Sequence, residues 1–253
     1  MEPTLTADLL IPAKNEAENL DALAAALRPL LEAGALRRVV LVDNGSTDAT
    51  AELARGHGFT VVPESRPGYG SACLAGLNHI CEDPPDAVGF FDADLADDPE
   101  HLPRLIEELA SGRADLALGA RNAQAERGAL DPHQRFGNAL ACLLMRLATG
   151  RRYRDMGPMR VVRWESLQRL AMADTTWGWT LEMQHKAVTR GLRVVELDVP
   201  YRRRHAGKSK ITGSLTTSFR VGVKILFTVA KLWATERREA PEQVSEQVIS
   251  PAS

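Results

Sequence analysis

Short apolar runs alternate with segments of helical periodicity along the first half of the chain. Continuous apolar runs bounded by turn residues are typical of strands that are buried on both faces. Such runs lie at residues 8–11, 39–42, 59–62, 88–91 and 116–118, and helical spacing predicts helices over residues 16–31, 71–80 and 99–109 and a short helix ending near residue 55. Repeated strand–helix units predict an α/β fold with a parallel sheet and right-handed crossovers.

The second half of the chain is less regular. Its pattern predicts helices over residues 136–148 and 181–190 and strands near residues 160–162 and 194–201. A basic loop at residues 202–213 leads to a predicted amphipathic helix at residues 214–233, and residues 239–253 have the polar composition of a disordered tail. We therefore interpret residues 1–236 as a single domain.

Two aspartates follow the fourth predicted strand. Asp92 and Asp94 are separated by one residue and come directly after the apolar run 88–91. Ligands of open α/β sheets bind outside the carboxyl ends of the strands, and paired carboxylates suit Mg²⁺ or Mn²⁺ when substrate phosphates complete the coordination. Aspartate is also common in turns. The run therefore predicts either a metal–diphosphate site or an acidic turn.

Two further segments have features of phosphate recognition. Gly68 lies in a glycine-rich stretch before the third helix, where backbone amides could face an anion or simply form a tight turn. The loop that begins at Arg202 carries five cations within nine residues, which fits a phosphate-clamping lid, a solvated surface loop or a nucleic-acid contact. Neither segment completes a dinucleotide-binding or phosphate-loop motif.

Composition and charge narrow the class of protein. The formal net charge of −2 gives no support for nucleic acid as a partner. No signal peptide is visible, and the charge-free apolar stretch 136–145 is about half of the ~20 residues that span a bilayer. We expect a cytoplasmic protein, with the basic stripe of residues 214–233 either touching the inner face of the membrane or packing on the domain. The sequence does not define the oligomeric state.

Seven short motifs occur in a fixed order between about residues 8 and 213. They are IPAKNE at 11–16, VDNGSTD at 42–48, GYG at 68–70, DAD at 92–94, GAR at 119–121, RFGN at 135–138 and GKSK at 207–210. This set resembles the family-2 glycosyltransferases, in the branch of dolichyl- and polyprenyl-phosphate mannose and glucose synthases. The resemblance implies the GT-A fold of nucleotide-diphospho-sugar transferases, with a mostly parallel central sheet flanked by helices. It also implies a donor half at residues 1–120 and an acceptor half at 121–236.

The resemblance implies roles for individual residues as well. Those that match donor-nucleotide positions are Pro12, Ala13, Glu16, Asp43, Gly68 and Asp92, while Asp94 together with Asp92 matches the metal ligands. Those that match acceptor-phosphate and phosphate-loop positions are Arg121, Arg135, Arg204, Lys208 and Lys210. The implied cofactor is Mg²⁺ or Mn²⁺, and the implied donor is a UDP- or GDP-sugar.

The implied activity is inverting transfer of a hexose to a polyprenyl phosphate. A lipid phosphate is already anionic near neutral pH, whereas a soluble hydroxyl acceptor would need a carboxylate base, for which Asp155 and Glu182 are the candidates. A soluble acceptor, either phosphorylated or hydroxylated, is the alternative to the lipid phosphate within the class. From other classes, a nucleotidyltransferase would need a glycine-rich signature after the first strand, and intact Asp92 and Asp94 argue against a non-catalytic sugar-nucleotide-binding module.

Overall fold

The computed structural model describes residues 5–126 and 128–206. The predictions for Lys208, Lys210, the helix at residues 214–233 and the tail at 239–253 lie outside these residues. No helix in the described part of the chain is long and apolar enough to cross a membrane.

Helices alternate with strands over most of the described chain, as the hydrophobic pattern predicts. The strands are β1 (Ala7–Ala13), β2 (Arg38–Asp43), β3 (Thr60–Pro63), β4 (Ala87–Phe90), β5 (Leu116–Ala125), β6 (Arg160–Arg163) and β7 (Val194–Tyr201). The helices are α1 (Ala17–Glu32), α2 (Thr50–Gly56), α3 (Tyr69–Ile80), α4 (Leu102–Ala110), α5 (Pro132–Thr149), α6 (Trp164–Leu170) and α7 (Trp179–Thr189), and a 3₁₀ turn (Pro99–His101) precedes α4.

The seven described strands form one sheet in the order β3-β2-β1-β4-β6-β5-β7. Strand β1 pairs in parallel with β2 and β4, β2 pairs in parallel with β3, and β5 pairs in parallel with β7. Only β6 runs antiparallel to its neighbours β4 and β5 among these strands. The prediction of a mostly parallel sheet flanked by helices is therefore confirmed.

Hydrophobic cores lie on both faces of the sheet. Alternation along β1 points Leu9 and Ile11 into a core shared with α1, α2 and α4, whereas Leu10 points into a core shared with α3, α5, α6 and α7. Side chains alternate between the two faces of a strand, so one apolar run supplies both cores. This burial on both faces explains why β1 lacks polar alternation.

Several boundaries differ from the sequence-based predictions. Helix α5 begins four residues earlier than predicted, because Pro132 suits the first helical position and the N–H of Asp131 donates to the side chain of Gln134 at 2.9 Å. Strand β5 continues to Ala125, where it pairs with Tyr201 at the end of β7. Helix α6 was not predicted.

Close packing of α3 on the sheet generates a stability prediction. A Cβ atom at Gly76 would lie 2.7 Å from Leu10 Cδ1 and 2.8 Å from Val42 Cγ2. We expect Gly76→Ala to lower the free energy of unfolding by about 1–3 kcal/mol, because the substitution overpacks the interface between helix and sheet. Chemical denaturation measures the change.

Gly137→Ala is the matched control, because Gly137 lies inside α5 and a Cβ atom there would meet nothing within 4 Å. This variant is expected to gain about 0.5–1 kcal/mol from the lower backbone entropy of the unfolded chain. Equal stabilities of the two variants would contradict the packing described for α3.

Candidate active site

A cavity of about 520 Å³ opens where β1, β2 and β4 end. Seven residues that line it match sequence-based predictions: Pro12, Ala13, Glu16, Gly68, Asp92, Asp94 and Arg204. The wall of the cavity also includes Lys14, Asn44 and Tyr69, for which no individual site role was predicted, together with Trp177. The carboxyl edge of the parallel strands therefore gathers acidic, basic and aromatic side chains around one cavity.

The two aspartates after β4 lie at the wall of this cavity. Asp94 accepts a hydrogen bond from the backbone N–H of Ala96 at 3.0 Å and forms an ion pair with Arg204 at 2.8 Å. Arg204 also lies 3.6 Å from the carboxylate of Glu16. Burial and the charge of Asp94 raise the pKa of Asp92 to about 7. The site thus concentrates negative charge and balances part of it with a guanidinium group.

These aspartates are suitable ligands for a divalent ion that binds together with a diphosphate. Among the described residues, no group of three or more histidine, cysteine or acidic side chains could hold a metal ion. Mg²⁺ and related ions are commonly held by one or two carboxylates, with the remaining positions filled by substrate phosphates and water. Asp92 and Asp94 supply this kind of donor set, with hard oxygen ligands.

Asn44 connects the end of β2 to the segment before α3. Its side-chain nitrogen donates to the carbonyl of Arg66 at 2.7 Å, and its side-chain oxygen accepts from the N–H of Gly68 at 2.9 Å. The neighbouring Asp43, matched to the base-binding position, is not among the residues that line the cavity, and its carboxylate accepts from the N–H of Ser46 at 3.0 Å. Asn44 is therefore the residue after β2 that shapes the cavity wall.

The start of α3 packs tightly against a distant loop. The N–H groups of Gly70 and Ser71 donate to the carbonyls of Thr176 and Thr175, at 3.2 and 2.9 Å. Gly68 has a φ of +139°, and a Cβ atom there would lie 2.2 Å from the Thr175 carbonyl oxygen. Two of the amides that we considered as anion donors are thus used within the protein, which corrects that interpretation and leaves the tight turn.

The two tryptophans of the segment at residues 177–179 have different environments. Trp177 is half exposed at the cavity and stacks on Tyr69, with ring centroids 6.5 Å apart and an interplanar angle of 24°. Trp179 is buried and packs against Phe90, with centroids 6.0 Å apart. Of the pair, Trp177 is therefore available to a ligand, whereas Trp179 belongs to the core.

Arg121 at the sheet and Asp155 after α5 form a bidentate ion pair. Arg121 Nε lies 2.7 Å from Asp155 Oδ2, Nη2 lies 3.0 Å from Oδ1, and the Arg121 N–H donates to Oδ2 at 2.8 Å. Burial opposes the charged form of Arg121, but the hydrogen bonds that its guanidinium donates to Asp155 and the negative charge of that carboxylate outweigh burial and raise the pKa of the guanidinium. Because Asp155 is buried and engaged by these donors, its contacts favour a structural role over that of a base.

Glu182 is engaged in a similar way. Its carboxylate accepts from the N–H groups of Ala173 and Asp174, the latter at 2.7 Å, and pairs with Lys186 at 2.8 Å. The residue is buried. These contacts hold the loop before α7 in place, and they also favour a structural role over the predicted role as a base.

A second cavity of about 300 Å³ lies beside α5. Its wall is formed by Leu130, Arg135, Asn138, Ala139, Cys142 and Arg154. Arg135 is thus exposed to a cavity, as expected for a phosphate ligand, whereas Arg121 is not among the residues that line it. The two are linked indirectly, since Asn138 accepts from the N–H of Met156, which follows Asp155. The structure does not bring the two arginines together in one cavity.

Comparison with known proteins assigns the chain to a family. The sequence profile of glycosyl transferase family 2 matches residues 8–170. The chain belongs to this family. An uncharacterized glycosyltransferase of Mycobacterium tuberculosis is 42% identical over 214 residues, which cover 83% of this chain and 91% of that protein. The undecaprenyl-phosphate mannosyltransferase of Micrococcus luteus is 28% identical over 217 residues, which cover 81% and 87%.

A solved structure supports the fold. Glucosyl-3-phosphoglycerate synthase from M. tuberculosis, in complex with Mn²⁺, UDP-glucose and phosphoglyceric acid, matches with a TM-score of 0.72 and 20% identity, covering 91% of this chain and 80% of that chain. The predictions of a family-2 member, a GT-A fold and a hexosyltransferase are confirmed.

Asp97 is a buried acidic residue close in sequence to Asp92 and Asp94 that the motifs did not single out. It is buried, and neither of its carboxylate oxygens has a hydrogen-bond partner among the described residues. Burial raises its pKa to about 8, against the attraction of Arg121 and with the repulsion of Asp92 and Asp94. The available signal was its place three residues after Asp94, but the acidic run 97–98 resembles an ordinary turn.

We expect Asp97→Asn to stabilise the metal-free protein increasingly between about pH 5 and pH 8. The wild-type carboxyl ionises in the unfolded chain above about pH 4 but keeps its proton in the folded protein until about pH 8. Unfolding therefore releases a proton, and a rising pH favours it. The difference in unfolding free energy between variant and wild type grows by up to about 1.4 kcal/mol per pH unit. Denaturant titrations in EDTA measure it.

Glu32→Gln provides the control, because Glu32 is an exposed carboxylate at the end of α1. Its difference from wild type is expected to stay constant over the same pH range. A constant difference for Asp97→Asn as well would show that the buried carboxyl is ionised in the folded protein.

Proposed function

We propose that the protein transfers a hexose, with inversion, from a UDP- or GDP-sugar to a polyprenyl phosphate, using Mg²⁺ or Mn²⁺. The observation that carries the proposal is the convergence of Glu16, Asp92, Asp94 and Arg204 on one cavity at the carboxyl edge of the sheet. We further propose that residues 1–236 form one domain, with a donor half at 1–120 and an acceptor half at 121–236, that works at the cytoplasmic face of the membrane.

The donor half contributes binding groups of complementary chemistry. Asp92 and Asp94 would hold the ion, which when bound supplies Lewis-acid stabilisation of the leaving diphosphate. Arg204 would orient phosphate oxygens by charge-assisted hydrogen bonds, and the stacked Trp177 offers an apolar face to a base or sugar ring. The complex of glucosyl-3-phosphoglycerate synthase with Mn²⁺ and UDP-glucose supports this kind of donor.

The acceptor half favours a nucleophile that needs no protein base. Asp155 and Glu182, the carboxylates considered for that role, are both engaged in ion pairs. A phosphate monoester is ionised near neutral pH, so arginines suffice to position it, and Arg135 and Arg154 line the second cavity. The M. luteus relative, named for undecaprenyl phosphate, supports a lipid acceptor.

A soluble phosphorylated acceptor is the second candidate within the same donor chemistry. The observation in its favour is the phosphoglyceric acid in the structure of glucosyl-3-phosphoglycerate synthase. That likeness has 20% identity and carries less weight than the sequence relationship to the mannosyltransferase.

Asp94→Ala is expected to abolish the Mn²⁺-dependent part of nucleoside-diphosphate binding. Loss of a metal-ligating carboxylate removes a direct bond to the ion, so the Kd for UDP or GDP in Mn²⁺ should rise roughly 10–100-fold or more. Titration calorimetry with and without Mn²⁺ measures the effect. Asp21→Ala, which removes an exposed carboxylate on α1, is the control. Unchanged affinity of the Asp94 variant would contradict the proposed role of Asp94 as a metal ligand.

Arg204→Ala is expected to slow transfer more than it weakens donor binding. A cation that stabilises charge on the departing phosphates contributes mainly in the transition state, and losing one such donor costs roughly 10²-fold in kcat. Assays with a UDP- or GDP-hexose, Mn²⁺ and undecaprenyl phosphate give kcat, and calorimetry gives the Kd of the nucleotide.

Arg202→Ala is the matched control, because Arg202 belongs to the same basic loop but pairs with Asp98 at 2.8 Å. Its kcat should stay close to that of the wild type. An unaltered kcat for Arg204→Ala would refute the role of this residue. Transfer to 3-phosphoglycerate without transfer to undecaprenyl phosphate would overturn the lipid acceptor and leave the donor chemistry standing.

A further inference from the structure

Three large apolar side chains of α5 face solvent. Phe136, Leu143 and Leu147 are 72%, 51% and 74% exposed, and the one other large apolar residue exposed among the described residues is Trp177 at the donor cavity. With the half-buried Leu140 they follow a spacing of i, i+4, i+7 and i+11, which puts them on one stripe of the helix. Such a concentration of exposed apolar side chains indicates an interaction surface.

The same stripe lies in a strongly basic part of the chain. Residues 132–154 contain five arginines and no aspartate or glutamate, although the whole chain has a formal net charge of −2. Arg135, Arg146 and Arg152 are exposed beside or just after the stripe. An apolar helix face flanked by arginines is typical of a helix that lies in the plane of an anionic membrane surface.

We propose that the α5 face docks on an anionic bilayer. We define the α5 face as the stripe Phe136, Leu140, Leu143 and Leu147 with the flanking Arg135, Arg146 and Arg152. This inference rests on the proposed function, because docking would bring the enzyme to a lipid phosphate. It adds the surface through which the enzyme would reach that acceptor. Phe136, Leu143 and Leu147 enter the interface between headgroups and acyl chains, and the arginines contact the headgroups.

Charge complementarity favours an anionic bilayer over a second copy of the chain, or residues 214–233 of the same chain, as the partner that covers the α5 face. A second copy of the chain would bring two arginine-rich faces together, and like charges across an interface are unfavourable. Residues 214–233 of the same chain carry Arg220, Lys224 and Lys231 and no acidic residue, so the same objection applies to them. Anionic headgroups provide the complementary charge.

Docking through the α5 face would place the second cavity close to the bilayer surface. Arg135, Asn138, Ala139 and Cys142 of α5 line that cavity, so Arg135 belongs both to the α5 face and to the cavity wall. A phosphate at the bilayer surface could therefore meet the cations of the cavity while its isoprenoid chain stays in the acyl region. This placement explains why the cavity combines two arginines with apolar walls.

Vesicle sedimentation of the full chain tests the proposal without donor or acceptor. At low salt the wild type should sediment with vesicles rich in phosphatidylglycerol and far less with neutral phosphatidylcholine vesicles. The double variant Phe136→Ser with Leu147→Ser should lose roughly tenfold or more of its partitioning. Both side chains are exposed, so the fold is retained, and thermal stabilisation by UDP or GDP with Mn²⁺ verifies it.

A charge-neutralising pair of variants tests the role of the arginines. Arg146→Gln should lower partitioning roughly fivefold, since each arginine near an anionic surface contributes about 1 kcal/mol. The matched control is Arg28→Gln on α1, an exposed position on the opposite side of the sheet. Its partitioning should equal that of the wild type.

Several outcomes would overturn the α5 face as the docking surface. They are recovery of the wild type in the supernatant, equal sedimentation of the double variant, and a dimer in analytical ultracentrifugation that the double variant dissociates. The proposed function fails separately: a protein that docks through α5 but transfers no sugar to any lipid phosphate would retain the docking surface and lose the acceptor assignment.

Discussion

Parallel pairing of β1 with both of its neighbours is the constraint on which the cavity at the carboxyl edge of the sheet depends. Ala13 pairs with Asp43 of β2, and Leu10 pairs with Phe90 of β4, so the three strands end at a common edge. The segments that follow them then converge without any further device. A shift of one residue in register would turn each strand's side chains to the opposite face, and burial of β1 on both faces prevents such a slip.

The acidic residues of the two parts of the chain have different electrostatic surroundings. Asp155 and Glu182 are each neutralised by an adjacent cation and held by backbone amides. Asp92 and Asp94 repel one another, and Arg204 offsets part of their charge. Folding has thus compensated the first pair of carboxylates more fully than the second, and burial together with the charge of Asp94 raises the pKa of Asp92.

The sequence predicts local features of this protein well and distant pairings poorly. Strand ends and the motif residues around Asp92 follow from hydrophobic pattern and from short motifs, which depend on neighbours along the chain. The use of the α3 amides depends on a carbonyl 104 residues away from Ser71, and the environment of Asp155 depends on Arg121, 34 residues earlier. No local sequence pattern predicts contacts between residues so far apart in the chain, so the surroundings of Ser71 and Asp155 emerge only from the structure. The different environments of Trp177 and Trp179 likewise depend on partners distant in the chain, Tyr69 and Phe90.

The close contact between α3 and the loop at residues 174–176 fixes the backbone around the cavity at the carboxyl edge of the sheet. This backbone is held by main-chain hydrogen bonds, and its close approach requires a glycine at position 70, where a Cβ atom would lie 1.9 Å from the Asp174 carbonyl oxygen. The side chains of Tyr69 and Trp177 line the cavity and project from this backbone. Replacement of this glycine would therefore disturb the backbone, whereas replacement of the aromatic pair would change the cavity wall and leave that backbone in place.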